Sequence, residues 1–380
     1  MLRHFAGSMW RTTARALQWN PGPAATPYAP AEIAMALYRG ILDREPDAGG
    51  LGNMTRHLEA GKPIDAVVKE LLASSEFTLN VFKQLFPPHA LPDLVQLHPQ
   101  RYERETTSYG VPMVLYKADD DADFDFMEQA IAAHRYYDRL GVWGVKIDLD
   151  KRVTAALVQG LGAASCLELG CFTGAVISLL EEAGIDVTGL DVSHVAFALA
   201  FPNVRNRMVY GDLLDARLAR RFDVVLAMDI VEHLNPRKFD RYVRAIAALV
   251  AEDGYFYLNS PMFGADDVFG EVFGAYVRQW QAAGNDVLWR RLDCDPAGWP
   301  LHGHLVWASP PWWERQFAAH GLVRDRDVER AIHARLEPFF AENPARRCLF
   351  VLKHAGSRRD PRAAIAGIDA ALGAVPGLPG

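Results

Sequence analysis

The feature that most constrains the fold is a regular alternation of short apolar strands and helical patterns in the second half of the chain. Strand, crossover helix and parallel strand in repetition predict a doubly wound α/β sheet, because parallel strands cannot be joined by a tight turn. The predicted strands are 164–169, 186–190, 206–210, 222–228 and 254–259, and the predicted helices are 173–183, 237–251 and 310–320.

The first of these strands ends in LELGCFTGA, where an acid precedes two glycines that bracket a tight bend. Gly170 and Gly174 let the backbone turn sharply and approach a ligand without side-chain interference. In an open α/β sheet, ligands bind beyond the carboxyl ends of the strands, where the strand order reverses. We therefore expect a ligand site at this bend, beside Glu168, with free N–H groups of the following helix directed towards it.

Further acids follow the next two strands. Asp191 comes 23 positions after Glu168, a spacing at which a carboxylate reaches the hydroxyls of a ribose bound over the glycine bend. Asp212, in YGDLLD, is placed to accept a hydrogen bond from an adenine amino group, and Val192 and Leu213 would pack against the ring. The pattern predicts a bound adenine nucleoside.

A nicotinamide dinucleotide is not the expected ligand. Its fingerprint is G-x-G-x-x-G, whose second glycine makes room for the pyrophosphate, whereas Phe172 stands between Gly170 and Gly174 here. The Glu168 carboxylate would repel a pyrophosphate and attract a cationic amino acid group. S-adenosylmethionine (SAM) carries a positive charge and no phosphates, so it fits both conditions.

Four segments, in this order and spacing, resemble the motifs of class I SAM-dependent methyltransferases: LELGCFTG, VTGLDVS, YGDLLD and FDVVLAMDIVEHL. The resemblance covers 136–355 and implies a seven-stranded Rossmann-like sheet and a methyl-transferring enzyme. Phe172 departs from the small residue common at its position, which we expect to reshape the turn only. By resemblance, Asp229 lies near the methionine portion and the reaction centre. The residues predicted to bind SAM are Glu168, Gly170, Cys171, Gly174, Asp191, Val192, Asp212, Leu213 and Asp229.

Three histidines are candidates for a general base. A hydroxyl acceptor must lose its proton, and imidazole titrates near neutral pH. His233 lies in DIVEHL, and His302 and His304 lie in WPLHGHLVW. We expect His304 or His233 to be the base, with His302 as a further candidate. The alternatives are that His233 belongs to the cofactor pocket and that His302 and His304 anchor a loop; Glu232 is expected to orient a neighbour.

The insertion 261–308 follows the fifth strand and is expected to cover the acceptor pocket. Trp289 and Trp299 are predicted to line that pocket, because flat aromatic rings stack on sugar faces, whereas Trp313 is predicted to lie in the core with Phe317. Asp266 and Asp267 are expected to be solvated loop residues, so no metal ligand is predicted. The tryptophans of this region are Trp280, Trp289, Trp299, Trp307, Trp312 and Trp313.

Residues 30–85 are predicted to form a small all-α domain before the sheet. The segment resembles a bacterial domain of unknown function found in surface-layer, glycan-related and calcium-repeat proteins. Family members often carry an aromatic pair where this chain has Gly52, Asn53 and Met54. The matching residues are Tyr38, Arg39, Leu42, Arg44, Glu45, Pro46, Asp47, Gly50, Leu51, Ser74, Ser75, Glu76 and Phe77.

Three other regions are predicted to carry little structure. They are a flexible leader at 1–29, a proline-punctuated linker with a lead-in helix at 86–135, and a flexible tail at 356–380 that is loose or forms one marginal helix. The acidic run ADDDADFDF lacks the glycine and glutamate of a calcium loop and is expected to be a solvated strip.

Composition excludes several classes of protein. A net charge of −7 and a pI of about 6.0 give no basic field for nucleic acid. Charges and prolines break every apolar run before membrane-spanning length. The four cysteines lack metal-ligand spacing, which fits a reducing cytoplasm without zinc or disulfides. The basic first thirty residues are either a frayed terminus or a segment that touches the inner face of the membrane.

The acceptor predicted from these features is a carbohydrate hydroxyl of a bacterial surface glycan or its precursor. This expectation is by association, because a fold does not fix its substrate. The alternatives are a small metabolite, a lipid or a protein side chain. A catalytically silent glycan-binding scaffold is a further alternative, but the presence of all the predicted SAM-binding residues argues against it.

Overall fold

A computed structural model describes residues 28–72, 74, 76–77, 90–107, 110–139, 146–272 and 287–378. The chain divides into two compact units, residues 1–87 and 88–380. The predicted leader lies almost wholly outside the described residues, as does Trp280. In the described part of the chain, no helix is both long enough and apolar enough to cross a membrane.

In the described residues of the first unit, the helices are α1 (Pro30–Leu42), α2 (Ala48–Glu59) and α3 (Ile64–Leu72), which fits the predicted all-α character. Asp47 begins α2, where its carboxylate accepts a hydrogen bond from the Gly50 N–H at 2.8 Å, which satisfies one of the N–H groups at the helix start. The apolar faces of the three helices enclose a small core. Its buried residues are Ala34, Tyr38, Leu42, Met54, Val67 and Leu71.

The second unit is built around a seven-stranded sheet. Its helices are α4 (Leu94–Leu97), α5 (Asp121–Ala133), α6 (Leu149–Gly160), α7 (Ala175–Glu182), α8 (His194–Ala198), α9 (Phe239–Leu249), α10 (Pro310–Ala318), α11 (Arg326–Glu342) and α12 (Pro361–Gly373). Its strands are β1 (Tyr102–Thr106), β2 (Pro112–Lys117), β3 (Ser165–Leu169), β4 (Asp186–Asp191), β5 (Met208–Tyr210), β6 (Phe222–Met228), β7 (Val250–Asn259), β8 (Gly264–Asp266), β9 (Gly270–Val272), β10 (Leu288–Trp289), β11 (Arg291–Cys294), β12 (Trp307–Ala308), β13 (Leu322–Arg324) and β14 (Leu349–His354).

The strand order of the large sheet is β13-β14-β7-β6-β3-β4-β5. The five strands from β7 to β5 pair in parallel, and β14 is antiparallel to both of its neighbours. Helices α6, α7, α11 and α12 pack on one face, and α9 and α10 pack on the other. The predicted doubly wound α/β fold is confirmed. The strand order reverses between β3 and β6, so a ligand site is expected at the carboxyl ends of these strands.

The prediction that 86–135 begins as a linker is wrong for the residues that form β1 and β2. Strands β1 and β2 form a three-stranded antiparallel sheet with β11 of the insertion. The prolines that suggested a linker stand where proline is tolerated, since Pro112 is the first residue of β2. The acidic strip starts helix α5, because the Asp120 carboxylate accepts hydrogen bonds from the N–H groups of Ala122 and Asp123.

The prediction of a flexible tail at 356–380 is also wrong, because α12 is part of the core. Its Ile368 side chain is fully buried among the residues that cover one face of the sheet. A Cβ on Gly160 would lie 2.4 Å from the Ile368 Cα, and a Cβ on Gly367 would lie 2.3 Å from the Gly160 carbonyl oxygen. The small residues that suggested a loose tail therefore allow α6 and α12 to pack closely.

We predict that Ile368→Ala destabilises the second unit by about 2–5 kcal/mol, as truncation of a buried aliphatic side chain leaves a cavity. Urea unfolding followed by circular dichroism measures this change. Arg362→Ala, on the exposed side of the same helix, is the control and should shift stability by less than about 0.5 kcal/mol. Equal stability of the two variants would contradict the assignment of α12 to the core.

Candidate functional site

A cavity of about 810 Å³ opens at the carboxyl ends of β3, β4, β5 and β6. This volume lies within the range of ligand-binding pockets in proteins. Gly174 does not line the cavity. It directly precedes helix α7 and has a left-handed φ of +76°. The predicted SAM-binding residues that line the cavity are Glu168, Gly170, Cys171, Asp191, Val192, Asp212, Leu213 and Asp229.

Asp191 connects the end of β4 to the glycine bend. Its Oδ2 accepts a hydrogen bond from the Phe172 N–H at 2.8 Å, and its Oδ1 accepts one from the Ser193 N–H at 2.7 Å. Burial raises the pKa of this carboxyl, and the backbone N–H groups act in the opposite direction. The same side chain therefore fixes the bend and stays at the cavity wall, where a carboxylate is suited to accept from ribose hydroxyls.

The glycine bend offers few N–H groups to a phosphate. The N–H groups of Gly170 and Cys171 donate to the Leu190 carbonyl oxygen at 2.7 and 3.2 Å, and that of Gly174 donates to the Cys171 carbonyl at 2.7 Å. Since the Phe172 N–H donates to Asp191, four of the five N–H groups of the bend already have protein acceptors. This supports a ligand without phosphates.

Glu168 stands at the end of β3 and is nearly fully buried. Burial raises the pKa of this carboxyl to about 8, with a contribution from the Asp191 charge, while a hydrogen bond from the Ile177 backbone N–H and the charge of Lys151 oppose the shift. Its Oε2 has no hydrogen-bond partner among the described residues. The expectation that the first N–H groups of α7 are free for a ligand is therefore corrected, because the Glu168 carboxyl occupies the start of this helix. The other oxygen of the same carboxyl suits a cationic ligand group.

Asp212 follows β5 and is held on both oxygens. Its Oδ1 accepts from the Leu214 N–H and its Oδ2 accepts from the Tyr242 hydroxyl, each at 2.7 Å. Val192 is 46% exposed, so it presents apolar surface to the cavity that it lines with Leu213. The structure thus brings together the residues predicted to hold an adenine ring.

Asp229 follows β6 with a left-handed φ of +54°. Its Oδ2 accepts from the Arg346 Nη1 at 2.6 Å, and the same guanidinium contacts Asp150 at 2.8 Å. Arg346 also lines the cavity. Sequence reasoning missed Arg346, because no local motif marks a residue that reaches the site from 117 positions away.

The segment Tyr136–Asp138 is a second part of the site that sequence reasoning missed. The Asp138 Oδ1 accepts hydrogen bonds from the Ser193 hydroxyl at 2.9 Å and from the His194 N–H at 2.8 Å. This contact holds the segment against the residues after β4, where Tyr137 and Asp138 line the cavity.

His233 is the one predicted base that lines the cavity in the described part of the chain. Its Nδ1 lies 3.2 Å from the Gly303 carbonyl oxygen and 3.3 Å from the Tyr137 hydroxyl. A carbonyl oxygen only accepts, so the Nδ1–H tautomer fits this contact, and the imidazole also interacts with the Asp229 backbone. Burial lowers the pKa of His233 to about 4, so the imidazole is neutral at pH 7.

The other two histidines lie away from the cavity. The His304 ring packs edge-on against His233 with centroids 4.9 Å apart, and its Nε2 lies 3.8 Å from an oxygen of the fully buried Glu232. His302 is exposed, with a left-handed φ of +56°. The structure brings His304 beside His233 and does not bring His302 to the cavity.

The prediction that Trp289 and Trp299 line a pocket is wrong. Both are buried, and the Trp299 Nε1 donates to the Pro92 carbonyl oxygen at 2.9 Å. Strand β11 and the segment after it pack on β1 and β2, so the Trp299 ring is part of that core. Trp289 lies in β10 and packs in a separate cluster with Phe263. Trp313 and Phe317 are in the core, as predicted.

Asp266 is buried in an ion pair, which corrects the expectation that it is solvated, whereas Asp267 forms an ion pair and stays exposed as expected. Asp266 pairs with the buried Arg324 at 2.5 Å, and Asp267 pairs with Arg326 at 3.2 Å. Both carboxylates are thus neutralised by arginines of the protein. These two residues therefore give no support for a metal site.

Residues 146–323 match the family model described as a methyltransferase domain. The ubiquinone biosynthesis O-methyltransferase of Bordetella avium is 30% identical over 112 residues, which cover 27% of this chain and 45% of the relative. The protein of the same name from Methylobacterium nodulans is 33% identical over 103 residues, 26% of this chain and 41% of the relative. The chain thus spans less than half the length of these relatives.

Two solved structures are also similar. The amino pentose methyltransferase from Micromonospora echinaspora is 22% identical and covers 59% of this chain and 96% of its own, with a TM-score of 0.37. The 1,6-didemethyltoxoflavin-N1-methyltransferase of Burkholderia thailandensis is 16% identical and covers 63% of this chain and 93% of its own, with a TM-score of 0.39.

The matched segment lies within the range of the motif resemblance and contains the strands that form the cavity. Residues 146–323 are therefore similar to methyltransferase domains, and the strands that they contribute to the sheet form the cavity.

We predict that Asp191→Asn weakens binding of S-adenosylhomocysteine (SAH) by at least about tenfold, because one amide oxygen cannot replace two carboxylate oxygens that each accept a backbone N–H. Titration calorimetry measures this change. Asp186→Asn, at the opposite end of the same strand, is the control and should keep the wild-type affinity. Unchanged affinity of Asp191→Asn would contradict its role at the ribose.

We predict that SAH affinity rises with pH between about pH 6 and pH 8 and then levels off. With a pKa of about 8, the Glu168 carboxyl of the ligand-free protein holds a proton at pH 7, and the ammonium group of SAH favours the ionised form. Binding therefore releases a proton, which calorimetry in buffers of different ionisation enthalpy measures. Glu168→Gln should remove both the proton release and the pH dependence.

The same carboxyl affects the stability of the ligand-free protein. Its pKa is raised above the unfolded value of about 4.3, so the folded state holds a proton that the unfolded chain loses. Its contribution to stability is present below about pH 4 and is lost as the pH rises towards about 8.

For the affinity measurement, a wild-type pH profile that matches the profile of Glu168→Gln would refute the assignment of Glu168 to the ammonium group.

Proposed function

We propose that the chain is a SAM-dependent O-methyltransferase that acts in the cytoplasm on a sugar hydroxyl of a bacterial surface glycan or its precursor. The observation that carries the cofactor assignment is the wall of the cavity. There, Glu168 presents an unpartnered oxygen, Asp191 and Asp212 follow the next two strands, and the N–H groups of the glycine bend are mostly occupied.

The sugar acceptor is supported by the polar side of the same cavity. Beyond the end of β6, the lining includes Asp229, His233, Tyr137 and Glu128, which are side chains that accept and donate hydrogen bonds to several hydroxyl groups. The resemblance of residues 30–85 to a domain found in glycan-related proteins supports the same class. The buried Trp289 and Trp299 give no support.

Methyl transfer is a displacement at the sulfonium methyl carbon, so the protein mainly has to position the acceptor oxygen in line with that carbon. The proton of the acceptor hydroxyl needs a base. His233 is the candidate at the cavity, because it lines the cavity and burial keeps its imidazole neutral at pH 7. His304, in ring contact with His233, is the alternative.

A hydroxyl on an aromatic ring is the second candidate acceptor. It is favoured by the curated relatives, which are ubiquinone biosynthesis O-methyltransferases. A small metabolite, a lipid or a protein side chain would use the same donor site. A catalytically silent glycan-binding scaffold would not be expected to turn over SAM.

We predict that the wild-type chain transfers labelled methyl from SAM to a fraction of cell-envelope glycan and not to a catechol. The measurement is incorporation of label into each fraction, followed by mass spectrometry of the released sugars for a gain of one methyl. Asp191→Asn should lose most of the incorporation, whereas the surface variant Asp186→Asn should keep it.

Each result separates the candidates. Labelled catechol with unlabelled glycan would replace the sugar acceptor by the aromatic one. SAH binding without transfer to any fraction would favour another acceptor class, and failure to bind SAH would favour the silent scaffold.

A further inference from the structure

Three side chains from two segments of the chain come together next to the cavity. The ligating atoms of Glu232, His233 and His304 all lie within 4.8 Å of one another. Glu232 and His233 are in the turn after β6, and His304 comes from the insertion. Two imidazoles and one carboxylate are the donor set of several catalytic metal centres in proteins.

The backbone holds the two segments together. The Glu232 carbonyl oxygen accepts hydrogen bonds from the N–H groups of Leu305 and Val306, both at 2.8 Å. Gly303 has a φ of +82°, and a Cβ there would lie 2.8 Å from a ring atom of Tyr137. His304 is therefore held beside Glu232 by contacts that do not involve either side chain.

The orientation of His233 suits a metal ligand. Its Nδ1 faces the Gly303 carbonyl oxygen and the Tyr137 hydroxyl, and the ring also interacts with the Asp229 backbone. A ligating histidine in proteins usually donates its other N–H to a carbonyl or carboxylate, which fixes the tautomer and the ring.

The side chain of Glu232 is the member of the group that most needs a bound ion. Its side chain is 0% exposed, and neither carboxylate oxygen has a hydrogen-bond partner among the described residues. A buried carboxylate without donors is costly. The carboxyl lies beside Ser260, and the His304 Nε2 is 3.8 Å from Oε1, so the carboxyl also faces another member of the group.

We propose that Glu232, His233 and His304 bind a divalent first-row transition-metal ion. Donor atoms about 2.0–2.2 Å from a common ion lie about 3–4 Å apart, so atoms that are up to 4.8 Å apart here need to approach by about 1–2 Å. Two imidazole ligands favour Zn²⁺, Co²⁺, Fe²⁺ or Mn²⁺ over Mg²⁺ and Ca²⁺, which prefer oxygen ligands. Three protein ligands leave at least one coordination position open.

The site has a consequence for catalysis that rests on the proposed function. His233 lines the cavity, so an ion on its imidazole would be next to the acceptor and would position the acceptor hydroxyl and lower its pKa. An imidazole nitrogen that binds the ion cannot also take the acceptor proton. The metal site and the role of the same nitrogen as a base therefore exclude each other.

The test is a titration of the tag-free full chain with Co²⁺, without SAM or acceptor, followed by calorimetry and by visible d–d absorption. One Co²⁺ should bind per chain with bands typical of nitrogen and oxygen ligands, and added Zn²⁺ should displace it. His304→Ala and Glu232→Gln should each weaken binding by at least about tenfold. His320→Ala, at a surface histidine that contacts Asp240, should keep the wild-type affinity.

Glu232→Gln keeps the shape of the side chain, so it remains informative if His304→Ala fails to fold. Binding by His304→Ala and Glu232→Gln at the wild-type level, or no Co²⁺ binding by the wild type, would overturn the proposal. Because neither measurement uses SAM or an acceptor, failure of metal binding leaves the methyltransferase assignment standing, and failure of methyl transfer leaves the metal site standing.

Discussion

The site depends on the two hydrogen bonds that the Asp191 carboxylate accepts from the backbone on either side of it. The bond from Phe172 holds the bend after β3, and the bond from Ser193 holds the chain after β4. Because β3 and β4 are neighbouring parallel strands, these bonds fix the distance between the bend after β3 and the chain after β4, which are the two segments expected to contact a nucleoside. The segment around Asp138 is then attached to the same point through Ser193 and His194. A single buried acid thus organises one wall of the cavity before any ligand arrives.

The chemistry of the ligand follows from which groups the protein leaves unsatisfied. In a dinucleotide site, the glycine bend and the start of the next helix offer N–H groups to a pyrophosphate. In this chain, those N–H groups donate to Leu190, Cys171 and Asp191, and the carboxyl of Glu168 stands at the start of the helix. The unsatisfied group is an acid, so the site favours a positively charged ligand. Both kinds of site lie at the carboxyl ends of parallel strands, and they differ in which partner completes the hydrogen bonds there.

Local pattern was sufficient for the parallel strands of the large sheet and for the residues at their ends. The strands, the glycine bend and Asp191 could be predicted because each depends on a few neighbouring residues and on parallel strands ending at one edge. Trp299 could not, since its burial depends on strands β1 and β2, whose segment resembled a linker. Ile368 was missed because small residues in a tail read as disorder until a second helix is present to pack against them. Arg346 and the contact between Glu232 and His304 arise only when distant segments meet, so they have no signal in a single sequence.

The most direct measurement is the crystal structure of the chain in complex with SAH. The account predicts SAH in the cavity with its ribose hydroxyls within hydrogen-bond distance of Asp191, its ammonium group near Glu168 and its adenine between Val192 and Leu213. The account would be contradicted by SAH bound at a different place, or by a complex in which a phosphate occupies the start of helix α7 and displaces the Glu168 carboxyl.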